Sequence, residues 1–229
     1  MSIAGVEGKC AVVRDSEGTL HSIFDMPEEL ELDAGFYFHG GYDIALPRRL
    51  RTSYDFILIG ARITSMCETI DIGGDADFSE CEFETFPERS MFHRNLVVRR
   101  STIKKLPRGI TVGRWLKMGG TEIETVPVSA RIGAGIDAEN SSLRIIPPGF
   151  AATGDLMLSG TRVRRLSGVQ IGGSVFIERV AGIEVGDDCE IAGNIYTDDA
   201  GISLPGRLSN KVFIRKPFGY ERRDAQAAV

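Results

Sequence analysis

The stretch that decides the fold is residues 107–126, PRGITVGRWLKMGGTEIETV. Its apolar residues stand at places 4, 6, 10, 12, 17 and 20: Ile110, Val112, Leu116, Met118, Ile123 and Val126. The two pairs spaced i, i+2 are the period-2 mark of short strands with one buried face. Gly113 and the Gly119–Gly120 doublet fall between them, where a corner needs residues free to take positive φ.

Working outward, the same 20-residue unit repeats at 27–46, 47–66, 67–86, 87–106, 127–146 and 147–166. The tenth place reads Phe36, Phe56, Ala76, Leu96, Leu116, Ile136 and Leu156. The twelfth reads Phe38, Leu58, Phe78, Val98, Met118, Ala138 and Leu158. The next unit is one residue short, so the columns continue at Val175 and Ile177, then at Ile195 and Thr197. A single loop shortening near Leu166–Ser167 is expected, because a deletion inside a strand would turn its core face outward. A fixed period with this pattern means stacked turns. The expected fold is all-β: one elongated parallel β-solenoid of about nine turns of 19–20 residues, over 27–214. Residues 1–26 contain a candidate capping hairpin (9–24), and 215–229 read as a C-terminal cap and tail.

The frame LxMxxTxIxxVP in 116–127 is similar to the bacterial 20-residue leucine-rich repeat, LxLxxNxLxxLP. It returns in 156–166, LMLSGTRVRRL, and more loosely in 96–107, LVVRRSTIKKLP. The resemblance implies a non-enzymatic recognition surface, as in delivered bacterial effectors or phage-borne repeat proteins. Two departures accompany it. The family's asparagine place holds Gly41, Ala61, Cys81, Ser101, Thr121, Ser141 and Thr161, which pack or bond weakly through a hydroxyl. The additional strand at the fourth and sixth places moves the cross-section towards a right-handed parallel β-helix with two or three short sheets per turn.

The composition bounds function loosely. With 27 basic and 32 acidic side chains the net charge is −5, too mild to mark a nucleic-acid binder. No apolar run approaches the ~20 residues of a membrane helix, and the start lacks a cleavable leader's pattern. Cys10, Cys67, Cys81 and Cys189 have no metal-binding spacing. These features imply a cytoplasmic chain with reduced thiols, a leaderless secretion route aside. No nucleophile elbow, phosphate loop, dinucleotide fingerprint or HExxH motif is present. No catalytic residue, metal ligand or cofactor is therefore assigned.

Two constellations remain. Residues 67–86 carry a charge of −7, with +5 in the unit after and +3 in the unit before. The plainer reading is neutralisation between stacked turns, since residues 20 apart become neighbours. At the eighteenth place Glu84, Lys104, Glu124 and Arg144 alternate in sign, followed by Arg164. Arg94, Arg99, Arg100, Arg114 and Lys117 form a candidate anion-binding group, although Trp115 alone could stack on bases, which argues against nucleic acid.

The second constellation is the outward place between the buried tenth and twelfth residues: Tyr37, Ile57, Asp77, Val97, Lys117, Asp137, Met157, Phe176 and Tyr196. Tyr37, Ile57, Met157, Phe176 and Tyr196, with Trp115 beside them, form a candidate interface for another protein or a second copy of this chain. A strand flank packed under a terminal cap is the alternative account. The expected function is a binding or scaffold module. The runner-up is a carbohydrate-active lyase or hydrolase on a β-helix, for which no converging carboxylates are evident.

Overall fold

A computed structural model describes residues 12–223. Cys10, the start of the candidate hairpin and residues 224–229 lie outside the described residues. The chain is a parallel β-solenoid of about nine turns, nearly all β. Among the described residues the one short helix, a 3₁₀ turn at Gly206–Lys211, follows the last full turn. No helix among the described residues is long and apolar enough to cross a membrane.

Each full turn contributes short strands to as many as three faces. The long sheet has eleven strands, from Phe36–His39 at one end to Val212–Lys216 and the antiparallel Gly219–Arg222 at the other. Its register is the 20-residue step: Phe36 pairs with Phe56, Phe56 with Ala76, Ala76 with Leu96 and Leu96 with Leu116. A second sheet is built from the fourth to sixth places, running from Glu29–Leu32 to Arg131–Ile132 and resuming at Ala151–Ala152. The third face is broken into two strand pairs, Asp43–Ala45 with Arg62–Ser65 and Arg165–Leu166 with Glu184–Val185. Inward residues of all three faces meet in one core, in which the tenth- and twelfth-place columns are buried throughout.

The corners follow from backbone chemistry. Place 14 takes a left-handed conformation at Gly60, Gly120 and Gly160, and also at Glu80, Arg100, Asn140 and Arg179. The chain then turns back, with the Thr121 and Thr161 N–H groups donating to the Met118 and Leu158 carbonyls at 3.3 and 3.0 Å. The small residues of place 15 do more than fill space. Ser101, Thr121 and Thr161 are buried, and their hydroxyls donate to the Val98, Met118 and Leu158 carbonyls at 2.6, 2.8 and 2.7 Å. Each buried hydroxyl thus satisfies itself on its own corner, which avoids the cost of an unpaired polar group.

A polar ladder does exist, on another column. At place 9 the Asp75 N–H donates to Asp55 Oδ1 at 2.8 Å, and the Asn95 N–H donates to Asp75 Oδ1 at 3.2 Å. The Trp115 N–H donates to Asn95 Oδ1 at 3.1 Å. Further along, the Ser174 N–H donates to Asp155 Oδ1 at 2.7 Å and the Asn194 N–H to Ser174 Oγ at 3.1 Å. These side chains tie turn to turn at the entrance to the long sheet, with a break across Trp115 and Gly135.

The shortening expected near Leu166–Ser167 lies there. The Gly149 N–H still donates to the Gly168 carbonyl as in a 20-residue step, whereas Ala151 pairs with Gln170, 19 residues on, so the residue is lost just after Gly168. It is not single, however. Glu184 bridges to Ser203, again 19 residues on, although Phe176 still pairs with Tyr196. A second residue is therefore lost between Tyr196 and Ser203, in a loop whose sequence carries no repeat.

Both ends of the stack carry extra structure. Val12–Arg14 and Leu20–Ser22 form an antiparallel hairpin, and the Ser16 N–H donates to Glu31 O at 2.7 Å on the first strand of the second sheet. At the other end the Arg207 guanidinium donates to the Asp187 and Cys189 carbonyls at 2.6 Å, and Lys211 Nζ donates to the Ala192 carbonyl at 3.1 Å. Cations on edge carbonyls satisfy groups that would otherwise face an empty strand position.

Candidate binding face of the long sheet

The outward face of the long sheet presents the eleventh-place column, and its two halves differ. At the N-terminal end Tyr37 is 49% exposed and lies over Gly35, its hydroxyl donating to Asp55 Oδ2 at 3.0 Å. Ile57 beside it is half-buried. Asp77, Val97, Lys117 and Asp137 then separate this end from the other.

The C-terminal half is more continuous. Gly135 on its strand and Gly154 in the bend before Leu156–Met157 leave the surface bare, and the Trp115 ring lies down across both. A β-carbon on Gly135 would stand 2.9 Å from that ring, so the indole depends on the missing side chain. Met157, Phe176 and Tyr196 follow, all half-buried. Phe176 and Tyr196 stack with centroids 4.8 Å apart and planes 11° apart. Phe213 extends the row at 5.6 Å, and Tyr220 meets Tyr196 edge-on at 4.9 Å. Phe176 and Tyr196 are thus partly covered by the chain's own terminal hairpin. Phe218, at the tip of that hairpin, is fully exposed.

Two buried carboxylates flank this row. Asp137 is 6% exposed and pairs with Arg99, whose side chain crosses the intervening turn. Glu178 is equally buried and accepts from both Arg215 and the Tyr220 hydroxyl. Burial and the bond to Glu178 push the Tyr220 hydroxyl up to about 12. The acid therefore fastens the hairpin to the sheet three strands away.

The basic group is distributed among carboxylates of other turns. Arg94 stands 3.5 Å from Asp75, Arg99 pairs with Asp137, and Arg100 pairs with Glu80. Arg114 and Lys117 have no ion pair among the described residues. Elsewhere too, pairs link neighbouring turns, as in Arg48–Glu68 at 2.7 Å and Arg49–Glu29 at 3.0 Å. Of the alternating eighteenth-place charges, Arg144–Glu124 forms at 3.2 Å, while Lys104 turns to Glu122 at 3.6 Å. Burial pushes the Cys67 and Cys81 thiols up to about 12 and about 11, so neither is poised as a nucleophile.

The cover supplied by Phe213 and Tyr220 matches the alternative of a flank packed under a terminal cap, whereas periodicity gives no sign of the Trp115 position over two glycines. Gly135 was the available signal, since glycine on a strand marks a close approach. No protein-family model, no curated protein and no solved structure matches this chain.

Proposed function

We propose that the chain is a protein-binding module whose partner sits on the C-terminal half of the long sheet, over Trp115, Met157, Phe176 and Tyr196. The observation that carries this reading is the half-buried row Met157, Phe176 and Tyr196 on adjacent strands, with the Trp115 ring laid over Gly135 and Gly154 on the same face. Aromatic, methionine and arginine side chains are the types enriched where proteins bind each other, and Arg99 and Arg215 border the row. The rings are held in place by stacking and by the glycine floor, so little side-chain entropy is lost on binding. The frame's likeness to leucine-rich repeats supports the same role, and a delivered bacterial effector, a phage-borne inhibitor or a cytoplasmic scaffold would all fit it.

The test places a photo-crosslinking residue at Met157 and, as a control, at Thr111 on the second sheet. The reading predicts a discrete protein adduct from the Met157 position, diminished by Trp115→Ala, and none from Thr111. Adducts that are the same from both positions, or absent from Met157, would sink it.

A further inference from the structure

The two ends of the rod carry opposite charge and open edges of the same sheet. Residues 12–46 hold eight acidic side chains against Arg14 alone, a net charge of −7. Residues 206–223 hold six basic side chains against Glu221 alone, a net charge of +5. Arg49 and Arg62 of the second turn offset two of the acids, and Arg215 is taken by Glu178. The polarity survives those pairings.

The edges are complementary as well. The Phe36 N–H donates inward to Asp55 O on the second turn, so Tyr37 and His39 direct their backbone N–H and C=O groups away from the stack. Among the described residues no strand pairs with that side, because the hairpin at 12–22 extends only the second sheet. At the far end the Arg223 N–H donates to Val212 O at 2.8 Å, which leaves the backbone groups of Tyr220 and Arg222 facing outward. The long sheet thus ends in one uncharged strand, FYFH, and in GYER, the outer strand of a terminal hairpin whose surroundings are basic.

We propose that copies of this chain stack head to tail, Gly219–Arg222 of one pairing antiparallel with Phe36–His39 of the next. Coaxial stacking with the same polarity gives an antiparallel pair, since Gly219–Arg222 runs against the other strands of the sheet. In the matching register Tyr37 stands opposite Arg222 of the next copy and His39 opposite Tyr220, each pair exchanging two backbone hydrogen bonds. All four side chains then lie on the outward face, where Tyr37 already lies and where Arg215 and Tyr220 stand beside Glu178. A head-to-head pair would instead bring two acidic ends together, which like-charge repulsion disfavours. A contact between unlike ends does not close on itself, so the assembly is an open filament. It uses the ends of the sheet and is independent of the protein-binding reading of its face.

The experiment is sedimentation velocity on the full chain across concentration and salt, with two edge variants. Tyr37→Pro and Arg222→Pro each remove one outward N–H and no backbone bond of the sheet, losing besides only the side-chain bonds to Asp55 and to the Asn210 carbonyl. Wild type should gain mass with concentration and lose it as salt rises. Each variant alone should be monomeric, and an equimolar mixture should stop at a one-to-one dimer, because each partner keeps one good end. If a proline variant loses its β circular dichroism, Arg222→Glu with Arg223→Glu takes its place, with the same expectation. Wild type that stays monomeric at low salt overturns the proposal. So does an Arg222→Pro variant that still associates by itself, which would mean head-to-head pairing. Protection of the Tyr37 and His39 amides from hydrogen exchange that is independent of concentration also overturns it, since the edge would then be covered within one chain.

Discussion

The first two turns and the turns from 87 to 166 share one period but turn their corners differently. In 27–66 the strands of the first two faces are four residues long, ELEL, FYFH, RLRT and FILI, with alternating burial. From Met91 to Met157 most are two residues long. Proline opens the unit in both regions, at Pro27 and Pro47 as at Pro87, Pro107 and Pro147. The difference lies two places on: Glu29 and Arg49 begin strands, whereas Arg89, Gly109 and Gly149 turn left-handed at φ of 60°, 68° and 81°. The core differs in parallel. Phe36 stacks on Phe56 at 4.5 Å, and Phe56, Phe78, Phe86 and Phe92 continue as a ring cluster. Beyond it the tenth-place column is Leu96, Leu116, Ile136 and Leu156. A conserved residue count keeps the register, so local geometry and side-chain size are free to change along the stack.

The largest expected effect is at the seam between the regions. Phe78→Ala empties the middle of the ring cluster and should cost about 3–5 kcal/mol, more than Leu116→Ala in the aliphatic part. Urea midpoints measured side by side decide this; an equal or smaller shift for Phe78→Ala would mean that the aromatic region is not the better packed one. Next comes the place-9 ladder. Asp55 accepts from the Asp75 N–H and from the Tyr37 hydroxyl, and Asp55→Ala should cost about 1–3 kcal/mol. Glu139→Ala, a half-buried change in the later turns that removes no side-chain bond, should be near neutral by the same measurement.

The corner difference predicts a pair of opposite sign. Gly109→Ala forces a β-carbon into a left-handed conformation and should destabilise by about 1 kcal/mol. Arg89→Gly relieves the same conformation one turn earlier and should stabilise by a few tenths to about 1 kcal/mol. Melting temperatures that fall for both would show that Arg89 is held by more than its backbone. The smallest effect is on the surface. Glu124→Lys breaks the pair with Arg144 and sets like charges together, but exposed pairs contribute only about 0–1 kcal/mol. A loss well above that would mean that the charge column is a structural device.

Core columns were legible because burial repeats at fixed places, and Leu116, Met118 and their counterparts announce themselves by hydropathy alone. The ladder of Asp55, Asp75, Asn95 and Asp155 was not, because a short polar side chain that accepts a neighbouring N–H looks the same in sequence as one that faces water. The place-15 hydroxyls were read as weak for the same reason: Thr121 reveals its partner only once the corner is closed. Trp115 escaped because its ring settles on glycines in other turns, at 135 and 154, beyond any local pattern. Glu178 with Arg215 and Tyr220 joins residues 37 and 42 apart, off the 20-residue step. The second shortening hid between Tyr196 and Ser203, where the repeat itself fades.

Which residues share a face depends on the register, and so do the row over Trp115, the ladder and the two open edges. Cysteine pairs read it out directly, because a disulfide forms only when the two Cα atoms lie about 4.4–6.8 Å apart. Thr111→Cys with Arg131→Cys tests the 20-residue step, and Ala151→Cys with Gln170→Cys tests the 19-residue step beside Gly168. Both pairs should oxidise readily, as mapped by mass in a non-reducing digest. Failure of the second pair, with Ala151→Cys linking instead to Ile171→Cys, would place the shortening elsewhere and contradict the stack described.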